Sequence, residues 1–150
     1  MKVFIGADHR GVPFKKKIKD ILSKMDVDTV DVGTFDETQA CDYPKVSYKV
    51  ASKVAQEPNS RGILLCMSGI GQAIAANKVP GAYAALCYNV ASAKLSRQHN
   101  NSNILVLGAK FVKQNELSRL IKTWLTTEFE GGRHLRRVNQ IRKIEKGRKP

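Results

Sequence analysis

The feature that most constrains the fold of this chain is a regular alternation between short runs rich in Val, Ile and Leu and longer amphipathic stretches with helical spacing. This alternation is typical of a parallel sheet wrapped by helices. With 150 residues and no low-complexity linker, the chain is predicted to form one domain spanning residues 1–150. We therefore predict a single doubly wound, Rossmann-like α/β domain of about five parallel strands with helices on both faces. The predicted strands cover residues 2–7, 27–32, 63–66, 82–87 and 103–107.

The predicted helices are marked by prolines in their first turns and by apolar residues at helical spacing. Pro13 and Pro44 open two of them. After Gly131 and Gly132 we predict an extra C-terminal helix, and its single apolar stripe indicates packing on a neighbour. The stripe consists of Leu135, Val138, Ile141 and Ile144. Three further helices are predicted over residues 71–78, 91–98 and 116–127.

Apolar and cysteine residues are distributed as in a cytoplasmic protein without a membrane anchor. No apolar run approaches the ~20 residues that a membrane-spanning helix requires. The first residues, MKVFIGADHRG, are typical of a strand that enters a charged turn rather than of a secretory signal. Three cysteines without a C-x-x-C pair fit reduced thiols better than a disulfide framework or a zinc site.

The formal charge of +13 raises the question of nucleic-acid binding. The last 20 residues hold eight Lys or Arg against one Glu. Other basic residues, such as the three lysines at positions 15–17, fit the solvated face of an amphipathic helix. The chain has no recognisable nucleic-acid-reading motif and no basic face interleaved with aromatic residues. A nucleic-acid-binding module is therefore the less favoured interpretation.

Polar residues lie where doubly wound sheets bind ligands, beyond the carboxyl ends of the strands. The predicted elements place five of them at this one edge: Asp8, His9, Cys66, His99 and Asn100. The segment GADHRG lacks the central glycine of a dinucleotide fingerprint and the Lys-Ser/Thr of a P-loop, so it indicates no nucleotide site. A polar turn without a function is one interpretation of Asp8 and His9. The other is a carboxylate for sugar hydroxyls beside an imidazole that can meet a phosphate.

Cys66 stands in the stretch ILLCMSGIG, where a predicted strand runs into a glycine turn. A free cysteine is often only a small buried apolar side chain, and that interpretation is open here. The turn favours chemistry, because the N–H groups of residues 68–71 can bind an anion and the same field lowers a thiol pKa. A thiolate could then remove a proton from a carbon beside a carbonyl while these amides hold the oxyanion. Cys41 and Cys87 lack such a turn and are interpreted as structural.

Two other segments carry residues suited to a phosphorylated substrate. His99 lies in the polar stretch SRQHNNSN, where it is either a surface-loop histidine or an imidazole that moves a proton on and off a sugar oxygen. Arg133 and Arg137 are four residues apart and would share a helix face, which suits a two-pronged grip on a phosphate. A basic tail without a partner is the alternative, and the glycines before Arg133 weaken it by allowing a sharp turn.

With these residues assembled, the sequence closely resembles the type B ribose-5-phosphate isomerases, in the superfamily that includes the galactose-6-phosphate isomerase subunits. An ordered set of segments along nearly the whole chain is far more specific than any one motif. The segments are KVFIGADHRG, DVGTF, DYP, ILLCMSGIG, AANKVPG, LSRQHNNSNIL and GGRHLRRV.

The resemblance implies an aldose–ketose isomerase of the pentose phosphate pathway that interconverts ribose 5-phosphate and ribulose 5-phosphate. It implies that Cys66 moves the proton through an enediolate, with Ser68 also catalytic, and that His99 assists ring opening. Asp8 would bind the sugar. The enediolate would be cradled by Met67, Ser68, Gly69, Ile70 and Gly71, with Asn100 from another loop. The phosphate would be bound by His9, Arg133 and Arg137, with Lys110 as an addition.

The resemblance also implies a homodimer whose site is built between the two subunits, with a tetramer as a further level of assembly, and no metal or organic cofactor. Two positions depart from the family's pattern. Met67 replaces the first glycine of the usual C-G-T-G turn, adding bulk and losing the freedom of glycine at positive φ. Lys110 replaces an arginine, keeping the charge but not the fork. A hexose 6-phosphate such as allose or galactose 6-phosphate remains the alternative substrate.

Overall fold

The computed structural model describes residues 1–150 and contains five strands and six α-helices in strict alternation up to the last two helices. The strands are β1 (Lys2–Ala7), β2 (Asp28–Asp31), β3 (Arg61–Cys66), β4 (Ala84–Leu86) and β5 (Ile104–Gly108). The helices are α1 (Val12–Lys24), α2 (Tyr43–Gln56), α3 (Ile70–Ala76), α4 (Val90–Asn100), α5 (Leu117–Thr126) and α6 (Gly132–Glu145). Short 3-10 turns at His9–Gly11 and Gln114–Glu116 precede α1 and α5.

All five strands form one parallel sheet in the order β2-β1-β3-β5-β4. The predicted doubly wound α/β architecture is thus confirmed, with strand ends shifted by one or two residues. The chain moves outward from β1 to β2 and then crosses back over β1 to β3. This reversal puts the ends of β1 and β3 side by side at the switch point where such sheets bind ligands.

Each face of the sheet is covered by its own apolar core. On one face, α1, α4 and α5 pack on the inward side chains of the sheet, and Ile18, Leu22 and Trp124 are fully buried. On the other face, α2 buries its predicted stripe of Val46, Val50 and Val54. Full burial of one such aliphatic side chain contributes about 1.5–3 kcal/mol, so the two layers hold the strand ends in fixed positions.

The last helix, α6, lies along the amino edge of the sheet. It begins near the C-terminal end of α4, which it contacts, and near its own end Glu145 accepts a hydrogen bond from the N–H of Gly81, just before β4, at 2.8 Å. Only Val138 of its predicted apolar stripe is buried, whereas Leu135, Ile141 and Ile144 are 42–59% exposed. None of the helices combines the length and the apolar character that crossing a membrane would need.

Candidate active site

Asp8 and Cys66 lie next to each other at the carboxyl edge of the sheet. Ala7 pairs with Leu65 in the ladder between β1 and β3, so the next residue of each strand falls at the same level. The N–H of Asp8 donates to the carbonyl of Leu65 at 3.3 Å. Asp8 is only 5% exposed, and its Oδ1 accepts a hydrogen bond from the N–H of Gly11 at 2.9 Å. The backbone therefore orients this carboxylate in advance.

His9 is held in one tautomer by the loop that follows β2. The N–H of Cys41 donates to Nδ1 of His9 at 3.2 Å. An Nδ1 that accepts a hydrogen bond carries no proton, so the ring proton of a neutral His9 lies on Nε2. The half-buried imidazole thus offers Nε2–H as a donor, which suits the predicted contact with a phosphate oxygen.

The turn after Cys66 has its left-handed residue at Gly69, with φ of +80°. Met67, by contrast, does not adopt positive φ and is 42% exposed. The concern that Met67 loses a conformation only glycine can adopt is therefore wrong for this structure. Ser68 Oγ accepts from the N–H of Ile70 at 3.4 Å, so the serine hydroxyl lies over the start of α3. The backbone of the turn, not the residue at position 67, sets its shape.

Strand β5 closes the other side of this turn. The N–H of Ala109 donates to the carbonyl of Cys66 at 2.9 Å, and the N–H of Lys110 donates to the carbonyl of Met67 at 3.1 Å. Gly108 lies so close to the backbone of Ser68 that any β-carbon at position 108 would overlap the Ser68 carbonyl group. Lys110 is exposed beside the turn, where its ammonium group can reach an anion.

The Cys66 thiol has a raised pKa in this chain, which corrects the lowered value expected from the turn. Burial raises the pKa of Cys66 most, and Asp8 adds to this through its hydrogen-bonding contact and its charge. The N–H groups of Gly69 and Ser68 lower it, in the direction that the turn predicted. The amide dipoles are thus present, but desolvation and a neighbouring carboxylate outweigh them.

His99 and Asn100 are not at this edge, contrary to the expectation that they precede β5 in a loop. They are the last residues of α4, which runs from the end of β4 back to the start of β5. The C-terminal end of such a helix lies at the amino edge of a parallel sheet. The helix predicted over residues 91–98 runs two residues further, to Asn100, and its return towards the start of β5 places His99 at the amino edge.

At the amino edge, His99 belongs to a cluster with residues of the α5–α6 loop and α6. Its ring stacks on His134 with 4.1 Å between centroids and 5° between planes. Glu130 Oε2 lies 4.0 Å from His99 Nε2 and 3.5 Å from His134 Nε2. Burial, His99 and Arg133 lower the pKa of His134, while Glu130 acts in the opposite direction. We call His99, Glu130, Arg133, His134 and Arg137 the amino-edge cluster.

The two arginines of this cluster are exposed near the start of α6. The predicted sharp turn before them is confirmed, because Gly131 and Gly132 adopt φ of +68° and +50°. Arg133 Nε donates to His134 Nε2 at 3.5 Å, and Arg137 lies one turn further along the helix. One chain therefore carries its predicted site residues in two groups, at opposite edges of the sheet.

The sequence-based prediction missed three residues that shape the amino-edge cluster. Glu130 and His134 are four residues apart and flank the glycines, a spacing that could have indicated a paired acid and base. Arg97 gave no signal, yet it is only 4% exposed and donates to the carbonyl groups of Thr127 and Ser102. Burial lowers the pKa of Arg97 to about 10, with Arg61 contributing. Arg97 ties the end of α4 to the loop that carries Glu130.

With both groups of residues located, the chain can be compared with known proteins. It matches the Ribose/Galactose Isomerase family over residues 3–141, and it belongs to that family. It is 40% identical over 147 residues to ribose-5-phosphate isomerase B of Escherichia coli strain K12, a match covering 98% of each chain. The resemblance noted in the sequence is thus confirmed.

Solved structures agree with this assignment. Ribose-5-phosphate isomerase B of Clostridium thermocellum superposes with a TM-score of 0.94 at 45% identity, covering 98% of this chain and 99% of that one. The ribose-5-phosphate isomerase B of Mycoplasma genitalium, solved with bound ribulose 5-phosphate, superposes with a TM-score of 0.89 at 40% identity, covering 97% of this chain and 96% of that one.

Proposed function

We propose that the protein interconverts ribose 5-phosphate and ribulose 5-phosphate, with Cys66 as the base that moves the proton. The observation that carries this proposal is the convergence of Cys66, Asp8 and the amide turn at the switch point between β1 and β3. Membership of the sugar isomerase family and the ribulose 5-phosphate complex of the Mycoplasma relative support it.

The proton transfer follows from what each group can do. The Cys66 thiolate removes the proton from C2 of the open-chain aldose, and the electron pair forms an enediolate with negative charge on O1. The N–H groups of residues 68–71 and the Ser68 hydroxyl stabilise this oxyanion. The thiol returns the proton to C1 while the O2 proton is lost towards O1, which leaves the ketone at C2. Asp8 holds the sugar hydroxyls meanwhile.

The remaining functions need groups from the opposite edge of the sheet. Ring opening is assigned to His99, and phosphate binding to Arg133 and Arg137 together with His9 and Lys110. Since His99 and both arginines lie at the amino edge of their own chain, we infer a symmetric homodimer in which the amino edge of one subunit completes the carboxyl-edge site of the other.

Exposed apolar residues support such an assembly. On α6, Leu135, Ile141 and Ile144 are 42%, 42% and 59% exposed, and on α3, Ile70 and Ile74 are 51% and 59% exposed. These residues lie on the elements that bear the two halves of the proposed site. Burying them between two subunits would remove the apolar surface that a single chain leaves in water.

The test is a coupled assay of the purified protein with ribose 5-phosphate, with and without a thiol-blocking reagent. We expect Cys66→Ala to abolish turnover while sugar-phosphate binding is largely kept. Cys87→Ala is the matched control, since this thiol is buried in the core and should tolerate the change with turnover retained. Full activity of Cys66→Ala would contradict the proposal.

The same assay shows which sugar phosphate is the preferred substrate. The matched family covers ribose and galactose isomerases, so a hexose 6-phosphate is the second candidate. We expect kcat/KM to be higher for ribose 5-phosphate than for allose 6-phosphate or galactose 6-phosphate. The reverse order would keep the chemistry assigned to Cys66 and change the substrate.

A further inference from the structure

The amino-edge cluster contains a set of donor atoms that the proposed isomerase reaction does not fully use. The side chains of His99, Glu130 and His134 bring two imidazole nitrogens and one carboxylate oxygen within 4.8 Å of one another. Two histidines and one carboxylate are a donor set that holds Zn²⁺ in proteins and leaves a fourth position open.

The distances are close to those that a metal ion imposes. With ligand bonds of 2.0–2.2 Å, two donors of a tetrahedral zinc site lie about 3.4 Å apart. Glu130 Oε2 is already 3.5 Å from His134 Nε2 and 4.0 Å from His99 Nε2. A shift of well under 1 Å would bring each of these two carboxylate–imidazole pairs to coordination distance, and the two imidazole nitrogens, which lie within 4.8 Å of each other, must also approach.

Binding of an ion requires His99 and Glu130 to move, and their side chains are partly exposed, whereas His134 is buried and fixed. The His134 side chain is 6% exposed, whereas the side chains of His99 and Glu130 are 37% and 47% exposed. The two rings are stacked with nearly parallel planes, so His99 must rotate for a lone pair of each ring to meet one ion. His134 can serve as the fixed ligand while His99 and Glu130 close around the ion.

The backbone that carries these ligands is tied together without any metal. The N–H of Glu130 donates to the carbonyl of Gln98 at 3.1 Å, which joins the α5–α6 loop to the last turn of α4. Arg97 adds its bonds to Thr127 and Ser102. An ion binding here would therefore not have to order the chain first, which lowers the free-energy cost of binding.

Arg133 lies against the ring of His134, and its positive charge disfavours the binding of a cation. Its Nε lies 3.5 Å from His134 Nε2, the nitrogen that would bind the ion. Arg133 is exposed and can swing into solvent, but its charge and that of Arg137 repel a cation. The expected affinity is therefore weaker than that of a closed structural zinc site.

We propose that His99, Glu130 and His134 form a binding site for a transition-metal dication such as Zn²⁺, and that an ion held there inhibits the enzyme. The inhibitory part rests on the proposed function, which assigns ring opening to His99. A metal on Nε2 of His99 occupies the lone pair that would exchange a proton with the sugar oxygen. The site is thus a point where free metal ions suppress turnover, not a cofactor site.

The binding test uses untagged, chelator-treated protein titrated with ZnCl₂ against a chromogenic chelator. We expect one zinc ion per chain, with affinity at least roughly tenfold weaker in Glu130→Gln and in His134→Gln. Glu130→Gln changes an exposed side chain and guards against misfolding of the buried His134 variant. The matched control is Glu128→Gln, which changes an exposed carboxylate of the same loop outside the cluster and should bind zinc with unchanged affinity.

Two measurements distinguish zinc binding at the amino-edge cluster from zinc binding at Cys66 and Asp8. Zinc affinity should be unchanged in Cys66→Ser, and bound Co²⁺ should show no thiolate-to-metal charge-transfer band. Zinc binding that is lost in Cys66→Ser, or kept in full in Glu130→Gln and His134→Gln, would overturn the site.

The inhibition test measures turnover of ribose 5-phosphate over the same range of zinc concentrations. We expect wild-type inhibition to follow the binding curve and to be reversed by chelator. Saturated zinc binding with unchanged turnover would overturn the inhibitory role. The binding test contains no substrate, so its result does not depend on isomerase activity. Absence of isomerase activity would therefore contradict the proposed function but not the zinc site.

Discussion

The ammonium group of Lys15 and the carboxylate of Asp31 form a buried ion pair between α1 and the end of β2, with Nζ and Oδ1 2.8 Å apart. Their side chains are 3% and 11% exposed. Lys15 also donates to the carbonyl of Thr34 and lies 4.7 Å from the ring centroid of Phe35. The pair therefore anchors the loop whose far end, at Cys41, fixes the tautomer of His9.

Lys15→Met should destabilise the protein by about 3 kcal/mol and raise KM for the sugar phosphate. Removing one partner of a buried pair costs about 3–5 kcal/mol, and the low end applies because Lys19 remains 3.1 Å from Asp31. Urea unfolding and steady-state kinetics measure the two effects. The neighbouring exposed Lys16→Met is the control and should change stability by less than about 0.5 kcal/mol. Equal stability of the two variants would contradict an anchoring role for Lys15.

Asp8→Asn should shift the alkylation of Cys66 by iodoacetamide to lower pH. Only the thiolate reacts, and the raised pKa means that Cys66 ionises at higher pH than an unperturbed thiol. Burial remains in the variant, but the raising contribution of the Asp8 charge is lost, so the pKa falls. The rate at Cys66 is followed by mass spectrometry across pH, with Cys41 of the same molecules as the internal reference. An unchanged profile would show that Asp8 does not act on this thiol.

Mixing Cys66→Ala with Arg137→Ala should restore activity if each site is shared between subunits, when turnover is measured at ribose 5-phosphate well below the raised KM of Arg137→Ala. In a hybrid dimer of Cys66→Ala and Arg137→Ala chains, one site carries both substitutions and the other carries neither. Random exchange makes half of the dimers hybrids, so recovery should approach about one quarter of wild-type activity. The mixture is assayed after subunit exchange, with each variant alone as the baseline. No recovery despite proven exchange would place Cys66 and Arg137 in a site within one chain.

Arg137→Ala should raise KM strongly and lower kcat less, because the phosphate group that we propose it binds is remote from the reacting carbons. Arg137→Lys should recover part of the binding, since it keeps the charge but not the fork. Arg136→Ala is the matched control, because it removes the adjacent exposed arginine on a different side of α6. Similar KM values for Arg136→Ala and Arg137→Ala would indicate a general charge effect rather than a contact.

The fold was predictable from the sequence because local patterns of apolar residues indicate the strands and helices. The apolar run before Cys66 and the valine stripe of α2 both appear in the structure as predicted. The placement of His99 was not predictable in the same way. The helix over residues 91–98 was predicted, but the edge at which it ends depends on the direction in which α4 returns to the start of β5, which is a property of the whole sheet.

The pKa of Cys66 was mispredicted for a different reason. The turn amides are visible in the sequence, but burial of the thiol and its approach to Asp8 arise only when β1 and β3 pair. The anchoring pair of Lys15 and Asp31 is likewise a tertiary contact, formed by residues that look like ordinary surface charges. Both contacts join residues that are far apart in the sequence, so no local sequence pattern indicates them.

The close approach of Gly108 to Ser68 means that the turn after Cys66 is shaped by a strand more than 35 residues away in sequence. Natural variation can therefore alter the identity of position 67, as Met67 does, without deforming the loop. Position 108 does not tolerate substitution, since even a methyl group there would displace the Ser68 carbonyl. The turn therefore tolerates a side chain at position 67 and excludes one at position 108.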